Sequence, residues 1–219
     1  MKYSFAIIFD MDGVLVDSNP VHKIALKQFC KQHGQDLSEQ QLKDKIYGRT
    51  NKDWIPNVFP NIYAKTLQQY ADEKEALFRQ LYEKDIEPLK GLINFLKLID
   101  EHKISRAIGT SAPKANVDFT LSKTGIGKYF NIILDEKFVT RGKPDPEIYT
   151  KCISALNFPA EKCIVFEDSV SGVQAGKAAG CKVVGVTTTH TAEELGEIDL
   201  AVEDFENLTL EDLEEMVNN

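Results

Sequence analysis

The sequence predicts an α/β protein: a Rossmann-like core built on a parallel sheet, with an α-helical subdomain inserted after the first strand. Short apolar runs alternate with helical stretches through most of the chain, which is the pattern of a parallel sheet with right-handed crossovers. The region between residues 18 and 88 breaks this alternation, because it contains helical stretches and no convincing strand. We assign residues 1–14 and 88–219 to the α/β core and residues 15–87 to the helical subdomain.

Five near-continuous apolar runs are the predicted strands, since such runs are typical of strands covered on both faces. They cover residues 3–9, 104–109, 131–134, 163–166 and 182–186. The predicted core helices cover residues 91–102, 113–123, 146–156 and 170–179. Prolines near two helix starts and Gly180 after the last helix are consistent with these bounds.

The inserted region is predicted to form three helices. They cover residues 21–33, 38–47 and 63–84. The last of them is long and polar and has one apolar side. Pro88 and Gly91 interrupt the helical pattern and mark the return of the chain to the core.

The composition is that of an ordinary globular chain. Of the 219 residues, 42% are hydrophobic and 27% are charged, which leaves enough apolar mass for a core. The 26 basic and 34 acidic residues give a net charge of −8. We therefore expect no nucleic-acid or membrane partner, because both favour a basic surface. A small anionic substrate or a metal ion is compatible with this charge, and we expect a monomer.

The cysteine pattern and the lack of long apolar segments indicate a cytoplasmic protein. None of the four cysteines lies in a C-x-x-C pair or at zinc-ligand spacing, so we expect buried thiols in a reducing compartment. No segment approaches the roughly 20 apolar residues of a membrane helix. The first apolar run is too short for a signal peptide, so we expect no cleaved leader.

Two aspartates follow the first predicted strand. Asp10 and Asp12 are two residues apart, so in extended chain their side chains project to the same side. Two neighbouring carboxylates repel each other and need a cation or a shared proton. The pair Asp12-Gly13 is also a common turn sequence, which is the structural alternative.

A second acidic pair, Glu167 and Asp168, follows the fourth predicted strand. Ligands bind at the carboxyl ends of parallel strands, so both pairs are expected at one edge of the sheet. Mg²⁺ accepts several carboxylate ligands and phosphate oxygens. The alternative is that Asp168 or Ser169 caps the next helix.

Two further segments could bind an anion. Thr110 and Ser111 follow the second strand, where hydroxyl and backbone N–H groups suit a phosphate, although a helix cap is the simpler interpretation. Lys143 lies between glycine and proline residues, which would fix the position of its ammonium group. A lone lysine is more commonly solvated. Together with the acidic pairs, these residues suit phosphoryl transfer, in which positioning and charge stabilisation dominate.

These segments, in this order, resemble the motifs of the haloacid dehalogenase (HAD) superfamily, and most closely its β-phosphoglucomutase-like phosphatases and phosphomutases. The stretch from Asp10 to Asp17 resembles the first motif, Thr110 the second, Lys143 the third and Glu167-Asp168 the fourth. The resemblance implies a HAD-like core and identifies the inserted helices with the α-helical cap of that superfamily.

The resemblance also implies catalytic roles. Asp10 would be the nucleophile and would form an aspartyl-phosphate. Asp12 would protonate the leaving oxygen and then deprotonate water. Thr110, Ser111 and Lys143 would hold the phosphoryl oxygens.

The implied cofactor is Mg²⁺. Asp10, the backbone carbonyl of Asp12, and Asp168 would bind it, with Glu167 close by or bridging through water.

In the cap, the candidates for substrate selection are His22, Arg49 and Lys52. The alternatives are that His22 packs within a helix and that Arg49 and Lys52 belong to a solvated face.

The expected function is Mg²⁺-dependent hydrolysis of a small phosphorylated metabolite, with sugar phosphates as the first choice. The alternative is a β-phosphoglucomutase-type phosphomutase. Members of that type carry an arginine a few positions after a cap-loop glycine. In this chain Arg49 directly follows Gly48 and Lys52 lies four positions after it, and lysine does not replace a bidentate arginine. A third hypothesis is a non-catalytic binding protein on the same fold.

Overall fold

The computed structural model describes residues 3–218, and it contains a six-stranded, fully parallel sheet in the order β3-β2-β1-β4-β5-β6. The strands are β1 (Ala6–Phe9), β2 (Ser105–Gly109), β3 (Ile133–Leu134), β4 (Cys163–Glu167), β5 (Lys182–Val186) and β6 (Leu200–Val202). The central strands are fully buried, which explains why they read as continuous apolar runs. The predicted α/β fold class is confirmed.

Helices cover both faces of the sheet. Those of the core are α5 (Leu92–Glu101), α6 (Lys114–Thr124), α7 (Glu147–Leu156), α8 (Val170–Ala178), α9 (Ala192–Leu195) and α10 (Leu210–Asn218). Alternate residues of β1 point to opposite faces: Ile7 and Phe9 pack with α5, α6 and α10, whereas Ala6 and Ile8 pack with α7, α8 and α9. The core is therefore a three-layer α/β/α sandwich.

The chain divides into two compact units, Met1–Asp17 with Glu87–Asn219, and Ser18–Ile86. The second unit contains α1 (Asn19–Gln32), α2 (Glu39–Lys45), α3 (Asn51–Val58) and α4 (Ala64–Tyr82). Its own apolar core includes Phe29, Trp54 and Ile55. Among residues 3–218, no helix combines the length and apolar character needed to cross a bilayer.

Several elements differ from the sequence-based prediction. The first strand begins at Ala6 rather than Tyr3, because its pairing with β2 starts at Ser105. The prediction lacked β6, α3, α9 and α10. The strand β6 has three residues and is partly exposed, and α3 is short and contains Pro56, so neither produces a strong periodic pattern.

Gly176 lies inside α8, where glycine costs about 1 kcal/mol relative to alanine. A Cβ atom there would lie 3.0 Å from Val183 Cγ2 and 3.4 Å from Val165 Cβ. The glycine therefore allows α8 to pack closely against β4 and β5.

Candidate active site

The register of the sheet brings the ends of three strands level with one another. Phe9 pairs with Ile108 on one side and with Phe166 on the other. The next residue, Asp10, donates its backbone N–H to the Phe166 carbonyl at 3.0 Å. Thr110 leaves β2 at the same edge and donates its N–H to Leu134. The carboxyl edge of the sheet thus collects the segments that the sequence singled out.

Three buried carboxylates meet at this edge. Oxygen atoms of Asp10, Glu167 and Asp168 all lie within 4.8 Å of one another. The Lys143 Nζ atom lies 3.0 Å from Asp10 Oδ1 and 2.5 Å from Glu167 Oε1, and only 6% of the lysine side chain is exposed. The site therefore combines three acidic groups with one buried ammonium group.

Glu167 accepts hydrogen bonds on both of its oxygens. Oε1 accepts from the Tyr149 hydroxyl at 2.6 Å in addition to Lys143. Oε2 accepts from the Ser169 hydroxyl and from the backbone N–H groups of Asp168 and Ser169, at 2.9 to 3.1 Å. Because both oxygens are engaged, Glu167 is placed to anchor Lys143. Tyr149 was not predicted from the sequence, since a buried tyrosine in a helix carries no distinctive signal.

The start of α8 is shaped around this glutamate. A Cβ atom at Gly172 would lie 1.8 Å from Glu167 Oε1, so this position requires glycine. The Ser169 side chain accepts a hydrogen bond from Gly172 N at 3.1 Å and caps α8. The helix-cap interpretation is therefore correct for Ser169, whereas the Asp168 carboxylate accepts from the hydroxyl of Thr189.

The acidic groups have shifted pKa values. Burial raises the pKa of Asp10 to about 7; the charges of Glu167 and Asp12 add to this, and Lys143 opposes it. Burial, with the charges of Glu167 and Asp10, raises the pKa of Asp168 to about 8. Burial also acts on Glu167, but the Lys143 charge and hydrogen bonds keep its pKa below the usual range. The single positive charge of Lys143 therefore does not balance the negative charges of Asp10 and Asp168.

The chemistry of the cluster fits a hard divalent cation. Asp10 Oδ1 is buried and accepts no hydrogen bond within residues 3–218, although the Lys143 ammonium lies nearby. The donor atoms of Asp10, Glu167 and Asp168 are all carboxylate oxygens, which Mg²⁺ prefers to nitrogen or sulfur. With Glu167 engaged by its own donors, Asp10 and Asp168 are the best placed ligands.

Asp12 lies beside this cluster and is half-buried. The chain turns directly after it, with Gly13 at φ +74° and Gly13 N donating to Val16 O at 2.8 Å. A left-handed conformation favours glycine, so the turn interpretation of Asp12-Gly13 is correct. The charge of Asp12 nevertheless acts on the pKa of Asp10, so the turn also keeps the two aspartates together.

The two hydroxyl residues after β2 differ in environment. Thr110 is buried, and its Oγ1 accepts from Ala112 N at 3.1 Å. Ser111 is exposed. The N-cap of α6 is Pro113, so neither hydroxyl occupies the cap position that the simpler interpretation assigned to it.

A dense set of hydrogen bonds holds the loop that carries Lys143. Glu147 Oε2 accepts from Thr140 N, Thr140 Oγ1 and Arg141 N, each at 2.9 Å. Lys151 Nζ donates to Glu147 Oε1 at 2.7 Å. These contacts close the loop at the start of α7 and support the fixed position of the lysine.

Within the helical unit, His22 belongs to a buried polar cluster. Its ring stacks on Phe78 with centroids 3.7 Å apart, and its Nδ1 lies 3.1 Å from Lys74 Nζ. Lys74 also pairs with Glu75 at 2.7 Å, and both side chains are less than a tenth exposed. Lys74 and Glu75 were not predicted as part of a cluster, because charged residues on a polar helix resemble a solvated face.

The other two residues predicted to select substrate are on the surface of the helical unit. Arg49 is exposed and donates to the Asp44 carbonyl at 3.3 Å. Lys52 is exposed in the first turn of α3.

Carboxylate groups held beside a fixed positive charge suit phosphoryl transfer, and the central strands of this sheet end in that combination. The fold and site thus define an enzyme of the phosphoric monoester hydrolase or phosphomutase class. Residues 7–186 match the model of the haloacid dehalogenase-like hydrolase family, and the chain belongs to that family.

Individual relatives agree with this assignment. A phosphorylated carbohydrates phosphatase from Thermotoga maritima is 33% identical over 187 residues, which cover 83% of this chain and 84% of the relative. The structure of a HAD hydrolase of family IA, variant 3, from Entamoeba histolytica is similar with a TM-score of 0.91 and 33% identity, over 98% of this chain and 100% of the other. A β-phosphoglucomutase from Clostridium difficile has a TM-score of 0.83 over 98% and 97% of the chains, but at 24% identity this likeness concerns the fold.

Proposed function

We propose that this protein is a Mg²⁺-dependent phosphatase that hydrolyses a small phosphorylated metabolite, with sugar phosphates as the first candidates, through an aspartyl-phosphate on Asp10. The observation that carries the proposal is the position of the Asp10 carboxylate, at the end of β1, within 4.8 Å of Asp168 and 3.0 Å from the Lys143 ammonium. The similarity to a phosphorylated carbohydrates phosphatase supports the choice of substrate class.

In the proposed reaction, a carboxylate oxygen of Asp10 bonds to phosphorus while the bond from phosphorus to the leaving oxygen breaks. Asp12 gives its proton to that oxygen. A water molecule then attacks the phosphorus of the aspartyl-phosphate and gives a proton to Asp12. This step releases phosphate and restores the Asp10 carboxylate.

Lys143, Thr110 and Ser111 are proposed to hold the phosphoryl oxygens. Lys143 is fixed from two sides by Asp10 and Glu167, so its charge needs little reorganisation during the reaction. Thr110 lies at the same sheet edge. Ser111 is exposed, and its proposed contribution is a hydroxyl or backbone N–H at the rim.

Asp10, Asp168 and the backbone carbonyl of Asp12 are proposed to hold Mg²⁺, with Glu167 close by as the anchor of Lys143. When bound, Mg²⁺ supplies positive charge that stabilises the negative phosphoryl oxygens. This ligand set uses the two carboxylates whose raised pKa values indicate uncompensated charge.

The helical unit is proposed to act as the cap that selects the organic part of the substrate, as in the superfamily that the sequence resembles. His22, Arg49 and Lys52 remain the predicted selecting residues. Replacing each with alanine should raise KM for the best sugar phosphate. The same change should lower kcat for a generic aryl phosphate by a smaller factor relative to the wild type. We also propose that the protein is cytoplasmic and a monomer. Elution at the mass of one chain in gel filtration tests the oligomeric state.

The first experiment is Mg²⁺-dependent hydrolysis of an aryl phosphate by the wild type and by Asp10→Asn. We expect activity that EDTA abolishes and that Asp10→Asn lowers by at least about 10³-fold, because the nucleophile is lost. Asp118→Asn is the matched control, since Asp118 is an exposed aspartate that pairs with Lys114 on α6. Unchanged turnover in Asp10→Asn, or an inactive wild type, would contradict the proposal.

The phosphomutase alternative is separated by its product. The enzyme is supplied with β-glucose 1-phosphate and a sugar bisphosphate primer. Free phosphate as the main product supports the phosphatase, whereas glucose 6-phosphate as the main product establishes the phosphomutase.

A further inference from the structure

We propose that the segment after β5 is a clasp that ties together the two acidic loops of the active site, with Thr189 as the positioning residue for the Asp168 carboxylate. The clasp consists of Thr188, Thr189 and His190. Its effect on Mg²⁺ binding rests on the proposed function, whereas its effect on the loops does not.

Two clasp residues contact Asp168, on its side chain and on its main chain. The Thr189 hydroxyl donates to Asp168 Oδ2. The His190 ring lies with Nδ1 3.0 Å from the Asp168 carbonyl oxygen. A carbonyl oxygen only accepts, so Nδ1 carries the proton in this contact. Together the contacts fix both the rotamer of the carboxylate and the path of the chain that carries it.

The third clasp residue contacts the other acidic loop. The Thr188 hydroxyl donates to the Gly13 carbonyl at 2.6 Å, directly after Asp12. Its neighbour Thr187 instead contacts β6, donating its hydroxyl and its N–H to the Val202 carbonyl at 3.3 Å and 2.9 Å. Thr187 therefore still belongs to the pairing of the sheet, and the clasp begins at the next residue, Thr188.

The consequence concerns the pre-organisation of a metal ligand. A hydroxyl that donates to a ligating carboxylate orients it without adding charge, and loss of such an outer partner costs roughly 10- to 100-fold in metal affinity. The segment also lines an open cavity of about 380 Å³, together with residues 191, 192 and 194. The clasp residues are partly exposed, so isosteric changes in them are expected to leave the fold intact.

The first arm of the test measures Mg²⁺ binding by titration calorimetry in four proteins: wild type, Thr189→Val, Thr189→Ser and Thr187→Val. We expect about a tenfold loss of affinity in Thr189→Val, because the donor is removed at constant shape. Thr189→Ser should recover affinity to within about threefold, and Thr187→Val should bind as the wild type does. Equal losses in Thr187→Val and Thr189→Val, or no loss in Thr189→Val, would overturn the proposal.

The second arm measures amide hydrogen exchange in the metal-free proteins and needs no Mg²⁺. Thr189→Val should speed exchange in peptides covering residues 167–171, and Thr188→Val in peptides covering residues 11–16, while Thr187→Val changes neither. Exchange unaltered in both loops would refute the clasp. If the variants show the expected changes in exchange but the wild type binds no Mg²⁺, the clasp is supported and the proposed function is refuted.

Discussion

At the scale of single residues, the site is defined by an imbalance of charge. Asp10, Glu167 and Asp168 are buried together, and Lys143 is the buried cation that pairs with two of them. Lys143 is itself drawn toward the charged form: burial lowers its pKa, but the two acids raise it more. The imbalance is concentrated on Asp10 and Asp168, which are the proposed ligands of Mg²⁺.

Affinity for Mg²⁺ should therefore rise with pH. Without metal, the pKa values of Asp10 and Asp168 are raised to about 7 and about 8, so at pH 6 both hold protons that must leave when the cation binds. We expect affinity to increase from pH 6 to about pH 8.5 and then to level off. Titration calorimetry in buffers of different ionisation enthalpy measures both the affinity and the released protons. An affinity independent of pH, with no proton release, would contradict this account.

The Tyr149 hydroxyl should contribute measurably to stability. It donates to the buried Glu167 carboxylate at 2.6 Å, and hydrogen bonds to charged groups are worth about 1.5–3 kcal/mol. Tyr149→Phe should lower the free energy of unfolding in urea by that amount. Tyr129→Phe, a change of the same size at a partly buried position, is the control. Equal effects of the two substitutions would show that the contact with Glu167 is unimportant.

At the scale of elements, the sequence predicts strands correctly where nearly all residues of the strand are buried. The strands β1, β4 and β5 lie inside the sheet, and their apolar runs reveal them. Prediction failed for β6, which is an edge strand of three residues, and for α3, which is short and interrupted by Pro56. Local pattern is weak where an element is short or half-exposed, and only the packing of the whole chain then fixes it.

The start of α8 gives a test at the same scale. Gly172→Ala should displace the Glu167 carboxylate, because the added Cβ would lie 1.8 Å from Oε1. We expect a loss of about 1–3 kcal/mol of stability and a sharp fall in activity, since Lys143 loses its anchor.

Gly142→Ala is the control for stability, because a Cβ there meets nothing within 4 Å. Urea unfolding and aryl phosphate turnover of both variants are the measurements. A Gly172→Ala protein as stable and active as the wild type would mean that the carboxylate moves without consequence.

At the scale of the whole molecule, the sequence located the acidic and basic segments but not what supports them. Recognisable patterns mark all of them: Asp10, Thr110, Glu167 and Asp168 lie at or directly after the ends of strands, and Lys143 lies in a Gly/Pro-rich loop before a helix. Their partners, such as Tyr149 and Thr189, come from a helix and a loop that only the folded chain brings to the site. Hydroxyl side chains of this kind have no distinctive spacing, so the structure was needed to find them.

The folded protein should be stabilised by Mg²⁺ and destabilised by its removal. A ligand that binds only the native state adds about 2.7 kcal/mol at 100 times its Kd, and each kcal/mol shifts Tm by about 2–4 °C in a chain of this size. We expect Mg²⁺ to raise Tm by roughly 5–10 °C at that concentration and EDTA to reverse the rise. Asp168→Asn should lose most of the shift, whereas Asp118→Asn should keep it. A shift retained in Asp168→Asn would place the cation elsewhere.

Asp10 is proposed to carry the phosphoryl group during turnover, and trapping the aspartyl-phosphate shows whether it does. The enzyme is mixed with substrate, quenched within the first turnover, reduced with borohydride, and analysed by peptide mass spectrometry. We predict that the peptide containing residue 10 carries homoserine in place of aspartate, in proportion to phosphoryl-enzyme formed, and that Asp10→Asn shows no such product. Full turnover with the adduct at another residue, or in the Asp10→Asn protein, would contradict the account.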